Sequence, residues 1–145
     1  MVCKIVIRAT AGGEPIVTER AIADAGRGLR GDRYWSATGT WSDGSPEGRA
    51  LTLIDADVLE AVDLSAEDSY RNVVTRGVDL DALIGRRFRI GAVECYGARD
   101  CPPCTTLQRR TRPDILRALA RCGGLRVDVL TDGEIAVGDA IVVVG

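Results

Sequence analysis

Short runs in which apolar and polar residues alternate recur through most of this chain, and their period is two far more often than 3.6. Residues 2–8 place Cys3, Ile5 and Ile7 on one face and Val2, Lys4, Val6 and Arg8 on the other, which predicts a strand with Cys3 in the core. A turn at residues 11–15, rich in glycine and ending in Pro15, separates it from a second predicted strand at 16–23. Residues 50–54 read as a third strand. Asp55 then stands where a helix to about Val62 needs an N-cap, with Val58, Leu59 and Val62 on its buried face.

Residues 70–77 begin as a strand and end in a turn at Gly77. Asp79 is positioned to cap a helical turn over 80–84 that Gly85 closes. Residues 88–96 predict one strand interrupted at Gly91-Ala92 by a bulge. Pro113 suits the first turn of a helix in which Ile115, Leu116, Leu119 and Cys122 share a face, stopped by Gly123-Gly124. Two last strands, 125–131 and 135–144, flank Asp132-Gly133, a hairpin signal. Many short strands and few helices, with no βαβ alternation, favour a mostly β fold: a closed or nearly closed β-barrel with a few short helices. No linker or repeat divides residues 1–145, so one domain is expected.

Composition changes this picture only by exclusion. A net charge of −2 leaves no broad basic face for nucleic acid, and the arginines at 109, 110 and 112 read as a solvated patch. No apolar run approaches the roughly 20 residues that cross a bilayer, and residues 1–5 do not resemble a signal peptide. A cytoplasmic location with reduced cysteines is therefore expected. Histidine is absent, which removes His-based triads, His-ligated zinc and a His general base.

The densest candidate chemistry lies at Arg99-Asp100-Cys101-Pro102-Pro103-Cys104. Two prolines keep this stretch out of any ladder or helix, so Cys101 and Cys104 sit on a stiff loop at a strand's end. The three glycines of Gly26-Arg27-Gly28-Leu29-Arg30-Gly31 call for tight turns or a close approach of the main chain, and residues 35–48 read as a long loop with two tryptophans. On these residues alone, the cysteine pair could serve thiol–disulfide exchange. Structural zinc through Cys95, Cys101 and Cys104 is a further reading, but it lacks a fourth ligand.

Several segments in a shared order resemble the MOSC domain, found at the C-terminus of molybdenum cofactor sulfurases. They are Gly28-Leu29-Arg30-Gly31-Asp32-Arg33, Ala50-Leu51-Thr52-Leu53-Ile54, Arg71-Asn72-Val73-Val74-Thr75 with Gly77, Leu83-Ile84-Gly85, Phe88-Arg89-Ile90-Gly91, Cys101-Pro102-Pro103-Cys104 with Leu107, Gly123-Gly124-Leu125-Arg126 and Gly133-Glu134-Ile135-Ala136-Val137-Gly138-Asp139. The order is similar to that of small stand-alone bacterial members. The resemblance implies a barrel-like fold and binding of the molybdenum cofactor (molybdopterin), with Cys104 as metal or sulfur ligand and Cys101 as its helper. It also implies a reductase served by an electron-transfer partner, or a carrier served by a cysteine desulfurase. No pyridoxal phosphate is expected in this chain.

Candidates for holding the cofactor's anionic groups are Arg71, Asn72, Thr75 and Arg33, and Arg99 is near enough in sequence to favour a thiolate. Two departures from the relatives that reduce N-hydroxylated bases are visible. Residues 39–48 carry no histidine, and no helical extension is expected after the last strand. A catalytically degenerate barrel that binds a protein partner is the remaining alternative. The sequence leaves the oligomeric state open.

Overall fold

In the computed structural model, residues 1–10, 13–35, 48, 50–101, 114 and 123–144 are described. They contain eleven strands: β1 (Val2–Ile7), β2 (Ile16–Thr18), β3 (Arg20–Asp24), β4 (Gly28–Leu29), β5 (Leu51–Asp55), β6 (Val73–Thr75), β7 (Arg87–Ile90), β8 (Val93–Asp100), β9 (Leu125–Val129), β10 (Gly133–Ala136) and β11 (Ile141–Val143). Between β5 and β6 lie two short helices, α1 (Ala56–Val62) and α2 (Ala66–Ser69), and a 3-10 turn (Asp81–Leu83) precedes β7.

Eight strands pair in the order β11-β7-β8-β9-β5-β6-β1-β2, and β10-β3-β4 form a second, smaller sheet. The ends of the large sheet are drawn together by the turn between β10 and β11. There Val2 donates from its amide to Asp139 O (2.9 Å), and Gly138 donates to Val2 O (2.8 Å). The fold is thus mostly β, a nearly closed barrel with few helices.

Its interior holds Val2, Ile5, Leu51, Leu53, Val73, Phe88, Ile90, Val93, Cys95, Leu125 and Val127, and the small sheet adds Ala21, Ala23, Leu29 and Ile135 to the same core. Outside β1, β5 and β6 a second cluster forms around Val6, Ile54, Ala56, Leu59, Ala66 and Val74, where α1 and α2 pack. Leu53 therefore points in and Ile54 out, as the two-residue period requires.

Local chemistry set several of these elements as expected. Asp55 is extended (φ −78°, ψ 132°) and its carboxylate accepts from Asp57 N, capping α1. Gly28, at φ 108°, lies so close to β5 that a Cβ would stand 2.1 Å from Ala50 O, so the glycine-rich stretch approaches its own barrel.

Other expectations are corrected. Residues 16–23 are two strands, β2 and β3, broken at Glu19 so that each enters a different sheet. Gly91-Ala92 is the two-residue turn of the β7–β8 hairpin rather than a bulge: Ile90 pairs with Val93, and Gly91 adopts the φ of 60° that the first position of a type II′ turn demands.

Asp132-Gly133 is not a hairpin turn, because β9 pairs with β5 and β8 while β10 pairs with β3. Asp132 instead accepts from Ala25 N (2.7 Å). Tyr70 belongs to the end of α2, which sequence reasoning missed, and β6 starts only at Val73. The turn before β7 has Leu80, with no side-chain bond, at its N-cap in place of Asp79. Cys3 packs half-buried on the outer cluster, since a register shift between Val2 and Lys4 turns β1 so that Val2 and Ile5 both enter the interior. The helix expected from Pro113 lies outside the described residues.

Candidate functional site

Strand β8 carries the chain past Arg99 and Asp100 to Cys101, and β9 begins at Leu125 opposite Asp100. Cys101 is buried, 2% exposed, and its amide donates to Gly124 O (2.9 Å). Its carbonyl accepts from Arg71 Nη2 (3.0 Å), while Arg71 Nε donates to Gly123 O (2.7 Å). One guanidinium thus joins the two described ends of segment 102–122, in which Cys104 lies. Cys104 itself is outside the described residues.

Arg71 is aimed there by the end of α2. Tyr70 takes a left-handed conformation (φ 60°, ψ 22°), rare for a bulky residue, and this turns the chain sharply before β6. Fully buried Ser69 fixes the turn, its hydroxyl accepting from Arg71 N (3.2 Å) and donating to Ala66 O (2.6 Å).

Arg33, after β4, is buried beside Asp32. Its Nη1 stands 3.3 Å from Asp32 Oδ1, its Nη2 donates to Tyr70 O (3.0 Å), and its guanidinium lies 4.4 Å from the Tyr34 ring centre. Two residues not anticipated as site members join it. Arg8, just past β1, lies 3.9 Å over the Tyr70 ring, and its amide donates to Asp32 Oδ1 (3.0 Å). Arg126, on β9, donates to Gly48 O (3.1 Å) and stands 6.0 Å from the Tyr34 ring. Tyr34 and Tyr70 therefore interleave with Arg8, Arg33 and Arg126, and Arg71 follows Tyr70 directly in the chain.

Among the described residues the buried arginines are Arg8, Arg33, Arg71 and Arg126, whereas Asp32 is the buried carboxylate. Burying guanidinium charge is costly unless it is compensated. That cost is concentrated at the end of the barrel where segments 36–47 and 102–122 leave the described structure. Aromatic faces and backbone carbonyls offset part of it.

The remaining anticipated residues are placed differently. Asn72 is committed within the barrel, its Oδ1 accepting from Thr52 N and Thr52 Oγ1 (both 3.1 Å) and its Nδ2 donating to Val6 O (3.2 Å). Thr75 is fully buried and its hydroxyl donates to Ile54 O (3.4 Å). Arg99 is exposed, opposite Arg126 in the β8–β9 register.

Cys95 lies inside the core, where burial pushes its thiol up to about 12. It is poorly suited to zinc, and among the described residues no group of three or more Cys, Asp or Glu is placed to hold a metal. A separate cavity of about 120 Å³, lined by Asp55, Asp79, Asp81 and Gly124, is acidic and suits no anion.

The missed signal was an arginine in otherwise apolar surroundings. Leu125-Arg126-Val127 reads as simple alternation, and only the fold shows that the outward face of β9 is covered there.

A family model described as the MOSC domain matches residues 50–142. Comparison with curated proteins gives no match. Among solved structures, the YuaD protein from Bacillus subtilis is similar at TM-score 0.77 and 18% identity, covering 99% of this chain and 96% of that one. YiiM from Geobacillus stearothermophilus is similar at TM-score 0.71 and 16% identity, over 100% of this chain and 75% of the other. YiiM from Escherichia coli gives TM-score 0.67 and 18% identity, over 100% and 70%. At these identities the likeness speaks for the fold.

Proposed function

This chain belongs to the MOSC domain family, and we propose on that basis that it binds the molybdenum cofactor at the arginine-rich end of the barrel, with the Cys104 thiolate as ligand to the metal or its sulfur. The observation that supports the reading is the gathering of four buried guanidinium groups, those of Arg8, Arg33, Arg71 and Arg126, around Tyr34 and Tyr70 at one end of the barrel. A pterin phosphate is an anion of the kind such a set favours, and planar guanidinium groups match its oxygens in pairs. The donor chemistry also fits a soft metal, because thiolate sulfur is its preferred ligand.

In this reading Arg33 and Arg126 hold the anionic end of the cofactor. Tyr34 and Tyr70 stack on the arginines and fix their planes. The positive surroundings favour the Cys104 thiolate over the thiol, and exposed Arg99 adds to that field from β8. Asn72 and Thr75 contribute by locking β6 to β5 rather than by touching the ligand. Cys101 holds the base of the cysteine segment through its backbone. When bound, the cofactor would supply two-electron redox or sulfur-carrying chemistry. A reductase of this type calls for an electron-transfer partner, and a carrier calls for a cysteine desulfurase.

The test is production in a host that makes the cofactor, purification without oxygen, and measurement of molybdenum and released pterin per chain. Near-stoichiometric amounts are expected for the natural chain. Cys104→Ser should retain pterin but lose most of the metal. A chain that carries neither molybdenum nor pterin under these conditions overturns the proposal.

A further inference from the structure

We infer that Arg71 is a positioning residue: a staple that holds Cys101 and Gly123, the described residues flanking segment 102–122, in place against each other. The inference rests on the reading of Cys104 above for its functional meaning, but its geometry stands apart from any cofactor. Arg71 Nη2 donates to Cys101 O (3.0 Å) and Nε to Gly123 O (2.7 Å), so one rigid, planar group spans both ends of the segment. A third contact, Nη1 to Ser69 O (3.4 Å), anchors it to α2.

The side chain is 8% exposed, and the surrounding backbone is shaped to receive it. Gly124 has φ 116°, and a Cβ there would stand 2.2 Å from Leu53 O and 3.5 Å from Arg71 Nε. The left-handed turn at Tyr70, the buried Ser69 hydroxyl and the bare Gly124 all serve to bring one guanidinium to two carbonyls. A residue whose work was only to meet an anion would need its donors turned toward the ligand. Here two are spent on the two ends of one segment. With the Cys101 N–H to Gly124 O bond, Arg71 makes a closed base across the β8–β9 ladder, from the β6 side.

The consequence is read in the cofactor-free protein, by mass-spectrometric mapping of alkylation at each cysteine. Cys101, 2% exposed, and Cys95, fully buried, should both be protected in the natural chain. In Arg71→Gln the Cys101 rate should rise about tenfold or more while Cys95 stays protected, since the loss is at the base of the segment and not in the core. Arg71→Lys should behave like Arg71→Gln, because an ammonium keeps the charge but not the fork that spans two carbonyls. Unchanged Cys101 protection in both variants, or protection restored by lysine, overturns the inference. Opening of Cys95 together with Cys101 in both variants also overturns it, because Arg71 would then be holding the whole barrel. Failure to find molybdenum in the loaded-protein experiment leaves these outcomes untouched, so the two proposals fail separately.

Discussion

Replacing Asn72 with alanine should reveal what a buried amide is worth when it serves three partners at once. Asn72 is 1% exposed. Its Oδ1 accepts from both the amide and the hydroxyl of Thr52 at 3.1 Å, and its Nδ2 donates to Val6 O at 3.2 Å. The side chain therefore ties β5 to β1 across the start of β6. Alanine leaves the Thr52 amide and hydroxyl without this acceptor and Val6 O without this donor. A buried donor left unmade costs roughly 1–3 kcal/mol. Allowing the hydroxyl to turn toward another partner, a loss of about 3–5 kcal/mol is expected, a large share of a domain's stability. For a chain of this size that is roughly 10–15 °C in Tm.

The assay is urea unfolding followed by far-ultraviolet circular dichroism, with the cycle Thr52→Val, Asn72→Ala and the double variant. The singles should be non-additive by about the worth of the one bond that both remove, Thr52 Oγ1 to Asn72 Oδ1. Asn72→Asp sharpens the test. Its carboxylate keeps both acceptors but sets an oxygen against Val6 O, so its folded pKa lies above the unfolded value. Stability should then be greatest in acid, where the protonated group donates to Val6 O, and fall as pH rises through that folded pKa. An Asn72→Ala protein within about 1 kcal/mol of the natural chain would refute the reasoning and return Asn72 to the list of ligand contacts.

Two further outcomes follow from the core. Gly97→Ala should cost about 3 kcal/mol in a urea titration, since its Cβ would stand 2.0 Å from Leu83 O where the 3-10 turn lies on β8; an unmoved midpoint would count against that packing. Cys95, held up to about 12 from 9.0 by burial first and the Asp128 and Glu94 charges after it, keeps its proton more tightly when folded. Its contribution is fully present below pH 9.0 and is lost as pH rises toward 12, at up to about 1.4 kcal/mol per pH unit. Cys95→Ala should flatten that part of a stability–pH curve, and an equal slope in both proteins would dismiss the assignment.

What the sequence revealed and what it hid divide along the range of the forces involved. The Asp55 cap and the Gly85 turn depend on neighbours a few residues away, and their signals were legible. The shared order of short motifs also brought out the family and the barrel.

Pairing was not legible where it depended on partners far along the chain. Asp132-Gly133 has hairpin chemistry, yet Ala25 and β3 claim the region from the other end of the sequence. Gly91-Ala92 could be a bulge or a turn until the register of Phe88 against Cys95 decided it. At the site, cysteines announce themselves in a local motif. A buried arginine looks like any solvent-facing position until Tyr34, Tyr70 and Gly48 are folded over it, which is why Arg8 and Arg126 went unnoticed.

The reciprocal bonds between Val2 and the Gly138–Asp139 turn have a consequence in time as well as in space. They unite the first strand with the turn before β11, so the sheet's two ends cannot be drawn together before residue 139 has been synthesised. Until residue 139 emerges, β1 can hold β2 and β6 only as part of an open sheet. Contacts so distant in sequence make closure a late and slow event. Among the strands waiting on it, β2 carries Ile16 and Val17 about half exposed on the sheet's edge. This strand is paired on one side only, by β1, before closure and after it, so its apolar edge is where another chain could add a strand.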